Sequence, residues 1–139
     1  MIFITNAKIK PMVGEDIQNG SILVDGGYIV AIGDDLTPPE GAQIIDAEGR
    51  LVTPGCVEAH CHIGLHNEAM RWEGADYNES TDPVTPQMRA IDSFNPMDGM
   101  LQNAIRGGVT TSCAGPGSAN VVGGTFLIAI PVSLRRKKQ

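Results

Sequence analysis

The sequence predicts a mixed α/β protein: a small N-terminal β-sheet of half-sandwich type, then a strand–loop–helix–strand unit. Three observations carry this. Gly (17) and Pro (9) are plentiful and only 4% of residues are aromatic, a composition suited to turns and strands rather than to a helical bundle. Asp25-Gly26-Gly27 stands between two β-rich apolar runs. One apolar stripe of helical period, at 96–106, lies between two extended runs.

Ile2-Phe3-Ile4-Thr5 opens the first strand. Ser21-Ile22-Leu23-Val24 and Tyr28-Ile29-Val30-Ala31-Ile32 flank Asp25-Gly26-Gly27 and predict a hairpin, because primed turns need positive φ and glycine supplies it. Gln43-Ile44-Ile45-Asp46 and Arg50-Leu51-Val52-Thr53 flank a second turn ending in Gly49 and read as a second hairpin. Thr37-Pro38-Pro39-Glu40-Gly41 is the loop between. Residues 1–53 therefore read as short antiparallel strands, marginally stable alone.

Pro54-Gly55 ends that pattern, and 56–63 reads as a strand. Residues 64–94 are polar, with the turn formers Asp82-Pro83 and Thr85-Pro86, and form a loop well beyond the usual length. A helix is predicted over 96–106, with Asn95 as N-cap, Pro96 at the first helical position and Asp98 near the positive end of the dipole. Met97, Met100, Leu101, Ala104 and Ile105 make its apolar face, which assigns Met97 and Met100 to core packing. Gly107-Gly108 stops it. Val109–Ala114 is a second strand, so this unit implies parallel pairing.

The net charge is −6, but Arg135, Arg136, Lys137 and Lys138 hold four of the ten basic residues. The first 134 residues carry six basic against sixteen acidic groups, a net of −10, which repels nucleic acid and anionic membranes. No run approaches the roughly 20 apolar residues of a membrane span. The N-terminus lacks the basic segment of a signal peptide, so a cytoplasmic location is expected. The odd number of cysteines (Cys56, Cys61, Cys113) reads as free thiols, with Cys61 and Cys113 as small buried apolar groups.

His60-Cys61-His62 is the main chemical feature. In a strand His60 and His62 share a face, where two imidazoles can converge on one ion, and Glu58 has the same parity. The triplet alone is a weak signal. Its position at the C-terminal end of a parallel strand strengthens it, because (β/α) enzymes place their chemistry on that edge. His66 follows four residues after His62 and is a candidate third ligand. Trp72 and Glu73, in the long loop, are candidates for a substrate pocket. Gly115-Pro116-Gly117-Ser118 and Gly123-Gly124 read as turns at a strand end rather than a phosphate cradle, since no lysine or helix opening follows.

Residues 51–62, Leu-Val-Thr-Pro-Gly-Cys-Val-Glu-Ala-His-Cys-His, resemble the PG(F/I)(I/V)DxHxH opening of the metal-dependent amidohydrolase superfamily. The upstream Ile45-Asp46-Ala47-Glu48-Gly49 resembles its N-terminal β-sandwich. Thr81-Asp82-Pro83, Asn95-Pro96-Met97-Asp98 and Gly115-Pro116-Gly117-Ser118 look closest to the imidazolonepropionase-like members. The resemblance covers about residues 2–126.

It implies three segments: an N-terminal β-sandwich portion (1–53), the first one to two units of an incomplete (β/α)8 barrel (54–126), and an unmatched, basic, disordered tail (127–139). It implies one or two divalent metals, most commonly zinc, His60 and His62 as ligands, and a small cyclic amide or other non-peptide C–N substrate attacked by metal-activated water. Glu58 stands where the family commonly has Asp; Glu58 and His66 are candidates for a supporting group or third ligand. The family also needs two later histidines and an aspartate on the last strand, whereas all three histidines here fall between positions 60 and 66. No complete catalytic set is expected, and the chain alone is expected to be inactive and to self-associate through open sheet edges. The alternative reading is a non-catalytic metal-binding or oligomerising β-rich fragment.

Overall fold

A computed structural model of the chain describes residues 1–131. Its contacts divide into two compact units, Met1–Pro54 and the segment from Gly55 onward.

The first unit is a five-stranded sheet. β1 (Ile2–Ile9), β2 (Ile17–Asp25), β3 (Tyr28–Gly33) and β4 (Gln43–Asp46) lie in the order β3-β2-β1-β4, and β5 (Leu51–Val52) also pairs with β1. The predicted hairpin forms between β2 and β3, with both central glycines at positive φ (Gly26 56°, Gly27 85°). Ala7, Ile9, Ile22 and Ala47 make the core, with Ile4, Ile17, Val24 and Val52 packed around it.

The second hairpin does not form. β4 and β5 both run parallel to β1, with Ile2↔Gln43 and Ile9↔Val52 among the partners. The chain between them, with Glu48 and Gly49 at positive φ, steps around an irregularity in β1 between Ile4 and Ala7 instead of reversing. Ala47 N donates to Thr5 O (2.8 Å) and Gly49 N to Asn6 O (2.7 Å), holding the step against β1. Turn-forming residues mark a break in an extended run; they do not by themselves specify reversal.

The second unit is a three-stranded sheet in the order β6-β7-β8: β6 (Cys56–Cys61), β7 (Val109–Ala114) and β8 (Leu127–Ala129). β6 and β7 are parallel as predicted, and α2 (Gly99–Arg106) packs on β7. β8 pairs antiparallel with β7, Ser112↔Ala129 to Ala114↔Leu127. Leu127–Ala129 therefore belongs to the sheet and not to a disordered tail: an apolar, β-prone run satisfies the backbone groups on the free edge of β7. The basic residues 135–138 lie outside the described residues.

The helix begins at Gly99, three positions later than predicted, and its N-cap is Asp98, whose carboxylate accepts from Met100 N. Asn95 closes a turn of its own, Oδ1 accepting from Met97 N at 3.0 Å. Met97 thus falls outside the helix and is 72% exposed, so it is not core; Leu101 is the buried residue of the stripe. The long segment 64–94 is not featureless. It holds a 3-10 helix (Glu68–Gly74) and α1 (Ala90–Ser93), and bridges at Val84↔Val122 and Arg89↔Thr125 dock it on the chain after β7.

Candidate metal centre

Parallel pairing of β6 and β7 builds the site, because it brings the two strand exits side by side. Gly115, the first residue after β7, donates its N–H to Cys61 O at 3.1 Å. Its carbonyl lies 2.7 Å from His62 Nδ1. A carbonyl can only accept, so Nδ1 is the donor, and the lone pair that a neutral imidazole offers a metal is then on Nε2. A backbone carbonyl on the second ring nitrogen is the usual way a ligating histidine is oriented.

His60 lies near the end of β6, with its ring centre 5.3 Å from that of His62 and the planes 83° apart. A nitrogen about 2.0–2.1 Å from zinc puts its ring centre about 3.2 Å away, and two such rings at a tetrahedral angle sit about 5.2 Å apart. The observed spacing is that of an edge-to-face ring pair and is close to the ring separation that a shared ion would need. His60 also lies against Phe126, 5.2 Å between centres.

Tyr77 stacks on a face of the His62 ring at 4.9 Å with the planes 12° apart. A turn follows His62, in which Leu65 N and His66 N donate to His62 O (2.9 and 3.1 Å). His66 then bridges antiparallel to Ala75, and Asp76 N donates to Leu65 O at 2.9 Å, which carries Tyr77 back to the histidines.

The remaining candidates fall elsewhere. Glu58 is exposed and its Oε1 accepts from His60 N at 3.1 Å, within its own strand. The register steps from Glu58↔Ser112 to Cys61↔Ala114, three residues against two, so simple alternation does not run through from Glu58 to the histidines. His66 meets Tyr77 (5.4 Å, planes 46° apart) and shares a shallow hollow with His62, Ile63 and Met100. Among the described residues no three His, Cys, Asp or Glu side chains come together as a metal would require. Trp72 is 79% exposed on the 3-10 helix and Glu73 is exposed beside it. The small cavity nearby, about 120 Å³, is instead bordered by Asp76, Tyr77, Arg89 and Pro116 among others. The three thiols are free; Cys56 is exposed, and Cys61 and Cys113 are half-buried rather than core.

Sequence reasoning missed Tyr77, Gly115 and Phe126 as partners of the histidines. Gly115 carried a signal: a glycine at the exit of the strand parallel to the His60 strand. A Cβ there would lie 2.2 Å from Phe126 Cδ1, so the close approach requires glycine.

No family model matches the sequence. Curated proteins and solved structures do. An amidohydrolase, tasK, of Hapsidospora irregularis is 42% identical over 113 residues, 78% of this chain and 12% of that protein. A dihydroorotase of Staphylococcus aureus is 31% identical over 121 residues, 87% of this chain and 23% of its own length. An imidazolonepropionase of Sphingopyxis alaskensis is 41% identical over 86 residues, 54% of this chain and 21% of its own length. The crystal structure of an amidohydrolase from Thermotoga maritima superposes with a TM-score of 0.86 at 39% identity, covering 96% of this chain and 34% of that one.

The fold is that of the β-sheet-rich N-terminal part of an amidohydrolase structure. The chain belongs to the amidohydrolase family, where it corresponds to the N-terminal part of larger members. It spans between 12% and 23% of the length of the curated relatives it matches. Among the described residues no helix is long and apolar enough to cross a membrane.

Proposed function

We propose that this chain supplies the first half of the metal site of an amidohydrolase acting on a cyclic amide or another non-peptide C–N bond. The observation that carries this is the His60–His62 pair, with His62 held by its Nδ1–H on Gly115 O and its Nε2 left free. When bound, a divalent metal such as zinc would activate a water and polarise the carbonyl under attack. His60 and His62 are the residues that would hold it. Gly115 sets the tautomer of one ring and Phe126 borders the other.

A catalytic zinc takes three protein ligands and an open position. The described residues bring together two, so on this reading the chain by itself binds metal without turnover. The names of the relatives, dihydroorotase and imidazolonepropionase, support a small cyclic substrate and do not choose among rings. A non-catalytic metal-binding module is the second reading, favoured by the lack of a third ligand among the described residues.

Two experiments test the proposal. Transplanting residues 56–62 into the imidazolonepropionase should preserve ring hydrolysis, and His62→Ala in the transplant should abolish it. The chain itself should show no cyclic-amide hydrolysis with zinc added; robust metal-dependent turnover would contradict the half-site.

A further inference from the structure

We propose that Tyr77 is a positioning residue for His62, fixing the plane of its ring so that Nε2 stays aimed at the metal position. This rests on reading His62 as a ligand, but the ring orientation itself needs no metal. The Nδ1–H hydrogen bond to Gly115 O fixes one point of the imidazole and leaves rotation about that axis open. The nearly parallel stack with Tyr77, 4.9 Å between centres and 12° between planes, fixes the plane.

Tyr77 is itself held by the segment that holds His62. Gly117 N donates to Tyr77 O at 2.7 Å, two residues beyond the carbonyl that accepts from His62. A Cβ on Gly117 would lie 2.2 Å from Asn78 Oδ1 and 2.7 Å from Tyr77 Cδ2, so the fit leaves no room for a side chain. Residues 115–117 therefore register the ring and its stacking partner on one short length of backbone. Tyr77 also meets the His66 ring at 5.4 Å, which makes it the shared neighbour of two of the three histidines.

The test uses the full chain, with side-chain 15N and 1H spectra of its histidines without metal, and titration with zinc. His62 should show the Nδ1–H tautomer and ring protons shifted upfield by the face of Tyr77. Tyr77→Phe should keep both, with zinc affinity within about twofold. Tyr77→Leu should lose the upfield shift, mix the tautomers and weaken zinc binding about tenfold, the scale on which supporting partners act, with an unchanged far-ultraviolet spectrum. If Tyr77→Leu does not fold, Gly117→Ala, which displaces Tyr77 and removes no aromatic group, is read the same way. Unchanged tautomer, shifts and affinity in the displaced variants would overturn the proposal. A wild-type chain that binds no zinc yet loses its tautomer preference in Tyr77→Leu would overturn the metal reading and leave the positioning role standing.

Discussion

Asp98 Oδ2 accepts a hydrogen bond from Gly64 N at 3.0 Å, tying the start of α2 to the turn that follows His62. The other carboxylate oxygen caps the helix, accepting from Met100 N at 3.0 Å. One side chain, 7% exposed, thus joins a helix terminus to the turn behind the histidine motif.

Asp98→Ala should therefore cost more than an ordinary cap. Loss of the cap contributes about 1 kcal/mol and the stranded Gly64 N–H a further 1–2 kcal/mol, so about 2–3 kcal/mol in total. Asp98→Asn, which can still cap, should cost about half as much or less. Urea unfolding monitored by circular dichroism measures both.

Glycine is required at two places by different physics. Gly64 has φ +83° and a Cβ there would meet Phe94 Cε2 at 2.3 Å, so Gly64→Ala combines backbone strain with a clash and should destabilise by about 2 kcal/mol or more. Gly115→Ala should displace Phe126, the neighbour of His60, and weaken zinc binding more than it lowers the unfolding midpoint. Equal effects on both would assign Gly115 to packing alone.

Much of this was legible in the sequence because it depends on local chemistry. Asp25-Gly26-Gly27 specified its hairpin, and 56–63 and 109–114 announced a parallel pair around a helix, the first strand ending two residues earlier at Cys61. The errors came where partners far apart in sequence decide. Residues 47–50 look like a reversal, but a break in β1 converts them into a step. Asn95 has the chemistry of an N-cap, yet Asp98 wins because its second oxygen also satisfies Gly64. Tyr77 reaches His62 through the Leu65–Asp76 backbone pairing, which no spacing rule encodes. Trp72 and Glu73 are exposed on the 3-10 helix, while the backbone pairing beside them carries Tyr77 inward.

Two carboxylates, Glu79 and Asp92, contribute an acid dependence. Glu79 lies below its ordinary 4.5, chiefly through the hydrogen bond from the Thr81 hydroxyl and then that from Thr81 N. Asp92 lies below its ordinary 3.8, chiefly through its hydrogen bonds from Arg89. Depressed carboxyls contribute stability that is present above the ordinary values and lost as pH falls through the lowered ones. The urea midpoint should fall as pH drops below about 4.5, and Glu79→Gln should flatten that fall; an unaltered slope would remove Glu79 from the account.

β3 is the last strand of the first sheet among the described residues and carries Tyr28, Ile29 and Val30 at 79, 64 and 59% exposure, an apolar edge of the kind that pairs with another copy. Val30→Lys should shift the chain toward monomer in sizing chromatography at matched concentration. A wild-type chain already monomeric at high concentration would contradict self-association through this edge.

On the proposed function, His60 and His62 form half of a metal site before any other ligand is present. Calorimetric titration of the chain with zinc tests it most directly. One equivalent should bind, and His60→Ala and His62→Ala should each weaken binding at least tenfold. A chain that takes up no zinc, or whose two alanine variants bind it as tightly as wild type, would contradict it.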